Sequence, residues 1–357
     1  MKVLYFGIFD SEFSRNKIYA DGLKLNGASI VTCTDNSPGF LKFWKLLWKH
    51  WEFRDQYDIM IVGFPGYIIV PFAKLISKKP VIFDALCSFY ETQIVSRDAY
   101  RGNIFRIPYV RMVDWLATRC ADLILVESES QKKYFIESLG VKERKIEVLY
   151  TGVNDETFHL DYSVKKLERF TVLFRGRITN EAGATIVIEA AKLLEDQDVD
   201  FLIIGYGFGR PIDEFLAIMN RLQPKNVRFI NKHLPIDQLR TQMLQCHVSL
   251  GQFADNERLK RTIPHKAFES LAMRLPYITS RVEGHKEFLV NEKNCLLVGL
   301  ANPRDLADKI LRLKQDPVLM DKLAREGYEL YKQSASPRVL GKRLVEICGV
   351  LIGARTI

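Results

Sequence analysis

Short, almost uninterrupted apolar runs recur along this chain at spacings wide enough to fit a helix between them. In the first half they fall at 2–8, 29–33, 58–63, 80–84, 122–126 and 146–149. In the second half they fall at 170–175, 200–205, 227–230, 247–250, 276–279 and 295–298. Runs of this length with few polar breaks predict strands buried on both faces, as in parallel sheets. Between them apolar residues return at helical spacing, most clearly over 182–195, 265–273 and 303–314. Strand and helix in alternation predict parallel sheets covered by helices. Two such series in tandem predict an α/β protein of two Rossmann-like domains facing across a cleft. The polar stretch 155–169 separates them, giving domains 1–160 and 161–336. A last helix near 337–352 has no strand after it, so 337–357 is expected to cross back onto the first domain.

A length of 357 residues suits two domains, and 47% hydrophobic with 27% charged residues is ordinary for a globular chain. The six cysteines are scattered without a C-x-x-C pair, which argues against structural zinc or a disulfide framework and fits a reducing compartment. No H-x-x-x-H pair is present, and no metal or cofactor is expected. Met1 and Lys2 lead straight into VLYFGIF, with no leader pattern and no bilayer-length apolar run, so a cytoplasmic location is expected. The net charge of +9 calls for an acidic partner. Nucleic acid is set aside, because the basic residues form neither a known motif nor a phosphate-tracking stripe.

The densest chemistry lies between Arg258 and Thr279. Lys260, Arg261 and Lys266 fall close before one carboxylate, Glu269, with Pro264 and His265 breaking the backbone between. Proline near a helix start costs nothing, since its missing N–H would be unpaired there. The pattern predicts a cationic loop feeding a helix N-terminus, which favours phosphate. Glu269 only accepts hydrogen bonds and would suit sugar hydroxyls instead. Phosphate beside sugar hydroxyls describes a nucleotide-sugar; solvated charges on a surface helix are the plainer alternative.

Ligands of doubly wound sheets bind beyond the carboxyl ends of the strands. There, Gly176 and Arg177 suit a diphosphate, or a turn glycine beside a surface arginine. The G-x-G-x-G run at 205–209 supplies Gly207, and the loop at 231–235 supplies His233, as donor-side candidates; a plain glycine turn fits the former equally. Ser14, Arg15 and Asn16 are placed to bind an acceptor or a phosphate, or to cap a helix with the arginine solvated. Asp84, taken as the end of its strand, would face a reacting hydroxyl or cap a loop. Asp196, Asp198 and Asp200 form a D-x-D pattern on the wrong side of the sheet for a metal-bound nucleotide, and read as a solvated turn. The segment LKFWKLLWKHWEFR at 41–54 puts Lys42, Lys45, Lys49 and Glu52 on one narrow face. Trp44, Trp48 and Trp51 belong to a broad apolar remainder. Lysine beside tryptophan on a helix predicts contact with an anionic membrane, with a core helix as the alternative.

The order of these pieces resembles the family-4 glycosyltransferases of the GT-B fold over nearly the whole chain. The resemblance is carried by VLYFGIFDSEFSRN, KPVIFDA, CADLILVES, VLYTGVNDETF, VLFRGRITNEAGATIVIEAAKLL, FLIIGYGFG and IPHKAFESLAMRLPYIT followed by EGHKEFLVNEKNCLLV. It implies retaining transfer, without a metal, from a UDP- or GDP-sugar in the C-terminal domain to a lipid-linked or glycan acceptor in the N-terminal one. In an envelope pathway that places the protein on the inner face of the cell membrane. By resemblance Glu269 holds the donor's ribose and Arg177 its diphosphate. Ala182 stands where many members have lysine, Arg261 where many have a second glutamate, and Asp84 near a common histidine. Lys266 and Arg261 are then expected to restore the charge at the diphosphate. An inactive nucleotide-sugar-binding scaffold, or an epimerase or hydrolase on the same fold, are the rival readings.

Overall fold

The protein is described by a computed structural model over residues 1–12, 14–96, 106–179 and 181–354. It divides into two compact units, Met1–Asn154 with Ser334–Ile357, and Asp155–Gln333. The division falls a few residues before each expected boundary.

The first unit is a six-stranded sheet. Its strands are β1 (Lys2–Gly7), β2 (Ser29–Thr34), β3 (Ile59–Val62), β4 (Val81–Leu86), β5 (Leu123–Val126) and β6 (Ile146–Val148), ordered β2-β1-β3-β4-β5-β6 and all parallel. Its helices are α1 (Ser14–Leu25), α2 (Leu41–Phe53), α3 (Ile69–Ile76), α4 (Arg106–Cys120) and α5 (Glu129–Leu139). Capping chemistry sets the limits of α5: the Ser128 side chain accepts from Gln131 N–H, and Gly140 ends the helix in the left-handed region. The connection from β1 to β2 runs one way along the sheet and those from β2 through β6 run the other. Right-handed crossovers therefore place α1 on one face and α2 to α5 on the opposite face. The two cores agree: Leu46, Val70, Ala73, Val113, Ala117 and Phe135 share one, and Ile18, Tyr19 and Leu23 share the other.

The second unit holds β7 (Phe170–Arg177), β8 (Val199–Tyr206), β9 (Val227–Asn231), β10 (Val248–Leu250), β11 (Tyr277–Ser280) and β12 (Leu296–Val298), ordered β12-β11-β10-β7-β8-β9. Its helices are α6 (Ala184–Leu193), α7 (Arg210–Leu222), α8 (Ile236–Gln245), α9 (His265–Ala272), α10 (Glu283–Lys286), α11 (Pro303–Gln315) and α12 (Pro317–Ser334). The order reverses between β7 and β10, which makes the carboxyl ends of those two strands the switch point where such sheets take ligands. The D-x-D pattern lies at the amino end of β8, where Arg169 pairs with Asp198 and Asp200.

The chain then returns to the first unit through α13 (Pro337–Gly353), which packs along α1. Gly22 and Gly341 let these two backbones touch, and a Cβ on Gly341 would overlap the Gly22 carbonyl. Gly341→Ala should therefore cost about 1–3 kcal/mol through forced separation of the helices. Urea unfolding checks this, and an unchanged midpoint would mean the pair separates freely.

Candidate functional site: a cationic switch point in the second unit

The site forms where β7 and β10 diverge. Gly176 takes a φ of +110°, and a Cβ there would lie 3.8 Å from Lys266 Nζ. Glycine thus keeps the backbone open beside the ammonium. Lys266, in the first turn of α9, is buried, with its Nζ 3.5 Å from the carbonyl of Gly251 and 4.6 Å from the centroid of the Phe174 ring. One weak acceptor and one ring face are poor solvation for an ammonium. Burial first, then the neighbouring charge of Arg175, hold its pKa down to about 7, with Glu181 acting the other way. Arg177, exposed at the end of β7, lies with its guanidinium carbon 5.7 Å from the centroid of the Phe208 ring.

Glu269 stands one turn into α9, almost fully buried. Its carboxylate pairs with the Arg175 guanidinium and, at 3.1 Å, with His265 Nδ1. Pro264 is the residue just before α9, with ψ at 137°, so the helix starts one position later than proline in the first turn requires. Glu181 meets Arg258 at 2.9 Å. Gly183, at φ +67°, lets its loop close on the strand-end loop, where a Cβ would approach Ala254 N to 2.6 Å. Ala182 is fully buried.

The structure gathers Gly176, Arg177, Lys266, Glu269 and His265 at one sheet end. Arg261 sits on a 3-10 turn with its guanidinium 3.9 Å from Glu257. His233 is exposed and meets Tyr206 edge-on at 5.6 Å. Gly207 has a packing reason to be glycine, since a Cβ would come within 3.0 Å of the Ile178 carbonyl.

One expectation in the first unit is corrected, the placing of Asp84 at the end of its strand. Asp84 does not end its strand: β4 runs on to Leu86, and Asp84 is fully buried against Arg15, at 2.9 and 3.1 Å from its Nε. Arg15 is equally buried and donates onward to Leu149 O and Thr151 Oγ1. Asn16 is buried too, clamping the loop after β3 through Phe64 N and O. All three are buried and bonded within the unit, and together they tie α1 to the strand ends. The Ser14 side chain lies outside the described residues.

Sequence reasoning passed over Arg175 and Glu181. An arginine inside a strand read as buried was itself a signal, because a buried charge demands a partner.

On α2, Leu46 and His50 face the core, while Trp44, Trp48 and Trp51 are each more than 60% exposed. Lys49 reaches Thr34 O and Asp35, and Lys45 reaches Ser37. Lys42 is half-buried. Among the described residues, no helix is long and apolar enough to cross a membrane.

Two parallel sheets in tandem, the second ending in buried cations at its switch point, define a two-domain α/β protein of the GT-B type. Two family models match in succession, one described as Glycosyltransferase Family 4 over residues 17–157 and one as Glycosyl transferases group 1 over 169–316. An uncharacterized glycosyltransferase of Methanocaldococcus jannaschii is 30% identical over 64% of this chain and 60% of its own length. CapM, the capsular polysaccharide biosynthesis glycosyltransferase of Staphylococcus aureus, is 24% identical over 78% of this chain and 72% of its own. The chain thus spans less than two thirds of the first relative and more of the second. Among solved structures, HepE of Anabaena in complex with UDP-glucose superposes with a TM-score of 0.73 at 16% identity, over 98% of this chain and 100% of that one, which shows the fold. The chain belongs to the family-4-type glycosyltransferases of the GT-B fold.

Proposed function

We propose that this protein moves a sugar from a UDP- or GDP-sugar to a lipid-linked or glycan acceptor, with retention of configuration, in the assembly of a polysaccharide or glycolipid. The carrying observation is the buried Lys266 ammonium beside Gly176 at the switch point of the second unit. A diphosphate lying there would supply an anionic partner, which Lys266 lacks among the described residues, and Arg177 would meet it from the strand end. Charge builds on the leaving diphosphate as the sugar–oxygen bond breaks, and fixed cations in a buried site stabilise it most. These side chains would supply that charge without a metal or other cofactor. Glu269 would accept hydrogen bonds from the donor's hydroxyls, since two partners leave part of a carboxylate's acceptor capacity free. The HepE complex with UDP-glucose and the polysaccharide role in CapM's name support this reading. The acceptor is assigned to the first unit. The exposed tryptophans of α2 support peripheral contact with an anionic membrane, on the cytoplasmic side.

Thermal unfolding against UDP, GDP, ADP and their sugars tests the donor. Ligand at ~100 times its dissociation constant adds about 2.7 kcal/mol. A shift with one base only, lost in Arg177→Ala and Glu269→Ala, is expected. No shift with any of them would overturn the reading.

A further inference from the structure

We propose that the outer faces of α2, α3 and α4 form one continuous docking surface for an anionic lipid bilayer, so that the membrane contact is a three-helix face and not α2 alone. This rests on the reading of the protein as a membrane-peripheral transferase. The three helices lie side by side on the same face of the first sheet and share one core. Phe43 of α2 meets Phe72 of α3 edge-on at 5.4 Å, and α3 packs against α4.

All four tryptophans of the chain open onto this face: Trp44, Trp48 and Trp51 on α2, and Trp115 on α4 at 52% exposure. On the same helices, Leu75 of α3 is 84% exposed and Met112 of α4 is 55% exposed. Scattered single apolar residues need no explanation, but clustering over three adjacent helices marks an interaction surface.

Charge decides the occupant. Segments 40–54, 68–79 and 106–120 carry ten Lys and Arg against two carboxylates, in a chain whose net charge is +9. One of those two, Asp114, turns inward and accepts from the backbone of Phe89 and Tyr90. Lys49, Lys74 and Arg54 meet Asp35, Asp122 and Asp55 outside these segments, and two arginines lie over the tryptophans themselves, Arg54 at 4.0 Å from the Trp51 ring and Arg119 at 6.0 Å from that of Trp115. A second copy of the chain would set two strongly cationic faces against each other. Protein interfaces are also depleted of lysine. Tryptophan ringed by lysine and arginine fits the boundary between headgroups and acyl chains, where each cation adds about fivefold to binding.

Tryptophan emission reads this face directly, because no tryptophan lies elsewhere. The probe is vesicles of phosphatidylcholine with phosphatidylglycerol, added to the full chain. Wild type should shift to the blue and co-sediment. A variant keeping only Trp115 (Trp44→Phe, Trp48→Phe, Trp51→Phe) should also shift, and brominated acyl chains should quench it. Met112→Glu with Trp115→Glu should lower vesicle affinity ~10-fold while the unfolding midpoint and the nucleotide-induced shift stay in place. If wild type shifts but Trp115 alone does not, the three-helix face is wrong while membrane contact through α2 stands. If no variant shifts and wild type self-associates with concentration, the face belongs to a second copy and both readings fall.

Discussion

Asp84→Ala is expected to lower the stability of the first unit by about 3–5 kcal/mol, the usual cost of leaving one member of a buried ion pair alone. Asp84 and Arg15 are both fully buried, and the arginine's remaining bonds go to Leu149 O and Thr151 Oγ1 near the end of β6. Without the carboxylate the guanidinium is stranded in an apolar core beside Tyr19, whose ring centroid lies 4.6 Å away. Replacing both partners by apolar residues (Arg15→Met with Asp84→Leu) should cost less than either single change, because no charge is left buried. Urea unfolding followed by tryptophan emission reports this unit selectively, since all four tryptophans lie within it. If Asp84→Ala keeps the wild-type midpoint yet loses transfer, the carboxylate serves the acceptor and not the stability of the unit.

The second large effect concerns Lys266. Its removal (Lys266→Ala) should weaken nucleoside diphosphate binding by about 10- to 100-fold, the range for a lost charged hydrogen bond. The pH dependence is more specific. With a pKa held near 7 in the free protein, Lys266 is largely neutral at pH 8. A diphosphate favours the ammonium, so binding above pH 7 must take up a proton. Affinity should then fall about tenfold per pH unit above 7, until the pKa of the complex is reached. The charged neighbours are Arg175, Glu181 and Glu269, with His265 one position earlier; Lys266→Arg, charged throughout, should flatten the slope. Calorimetry in two buffers of different ionisation enthalpy between pH 7 and 9 measures the proton directly. No uptake in wild type would mean that Lys266 stays charged or lies away from the phosphates.

The same shift has a stability consequence of definite sign. Between about pH 7 and the ordinary lysine value of 10.5 the unfolded chain binds a proton that the folded one does not, so stability rises with pH through that window and the burden is full below it. Lys266→Met should remove that dependence and raise the midpoint of the free protein while abolishing the nucleotide shift. Stability given up for a function is the pattern of a binding residue.

The strand pattern was legible because its signal is local. Each apolar run predicted from the chain coincides with an observed strand to within about two residues at either end. The limits of α9, α11 and α13 were legible for a related reason, since proline and the period of apolar residues mark them. Half of the site was equally open to reading: Gly176, Arg177 and Lys266 follow from strand ends and a cationic helix start. What failed was the role of charges within runs. Asp84 and Arg15 are 69 positions apart and looked like two exposed groups at loop ends. The two residues by which β4 runs past Asp84 turn a supposed reacting carboxylate into half of a buried pair.

The chain by itself determined the two parallel α/β sheets and their helices, because periodicity is a property of neighbours in sequence. Only the tertiary structure decided that Arg15 belongs to Asp84 and Arg175 to Glu269, and that Lys266 is buried and poorly solvated. It alone set α2, α3 and α4 on one face of the first sheet. Each of these depends on dielectric and distance between residues far apart along the chain, and burial, not residue type, sets the energy of a charge.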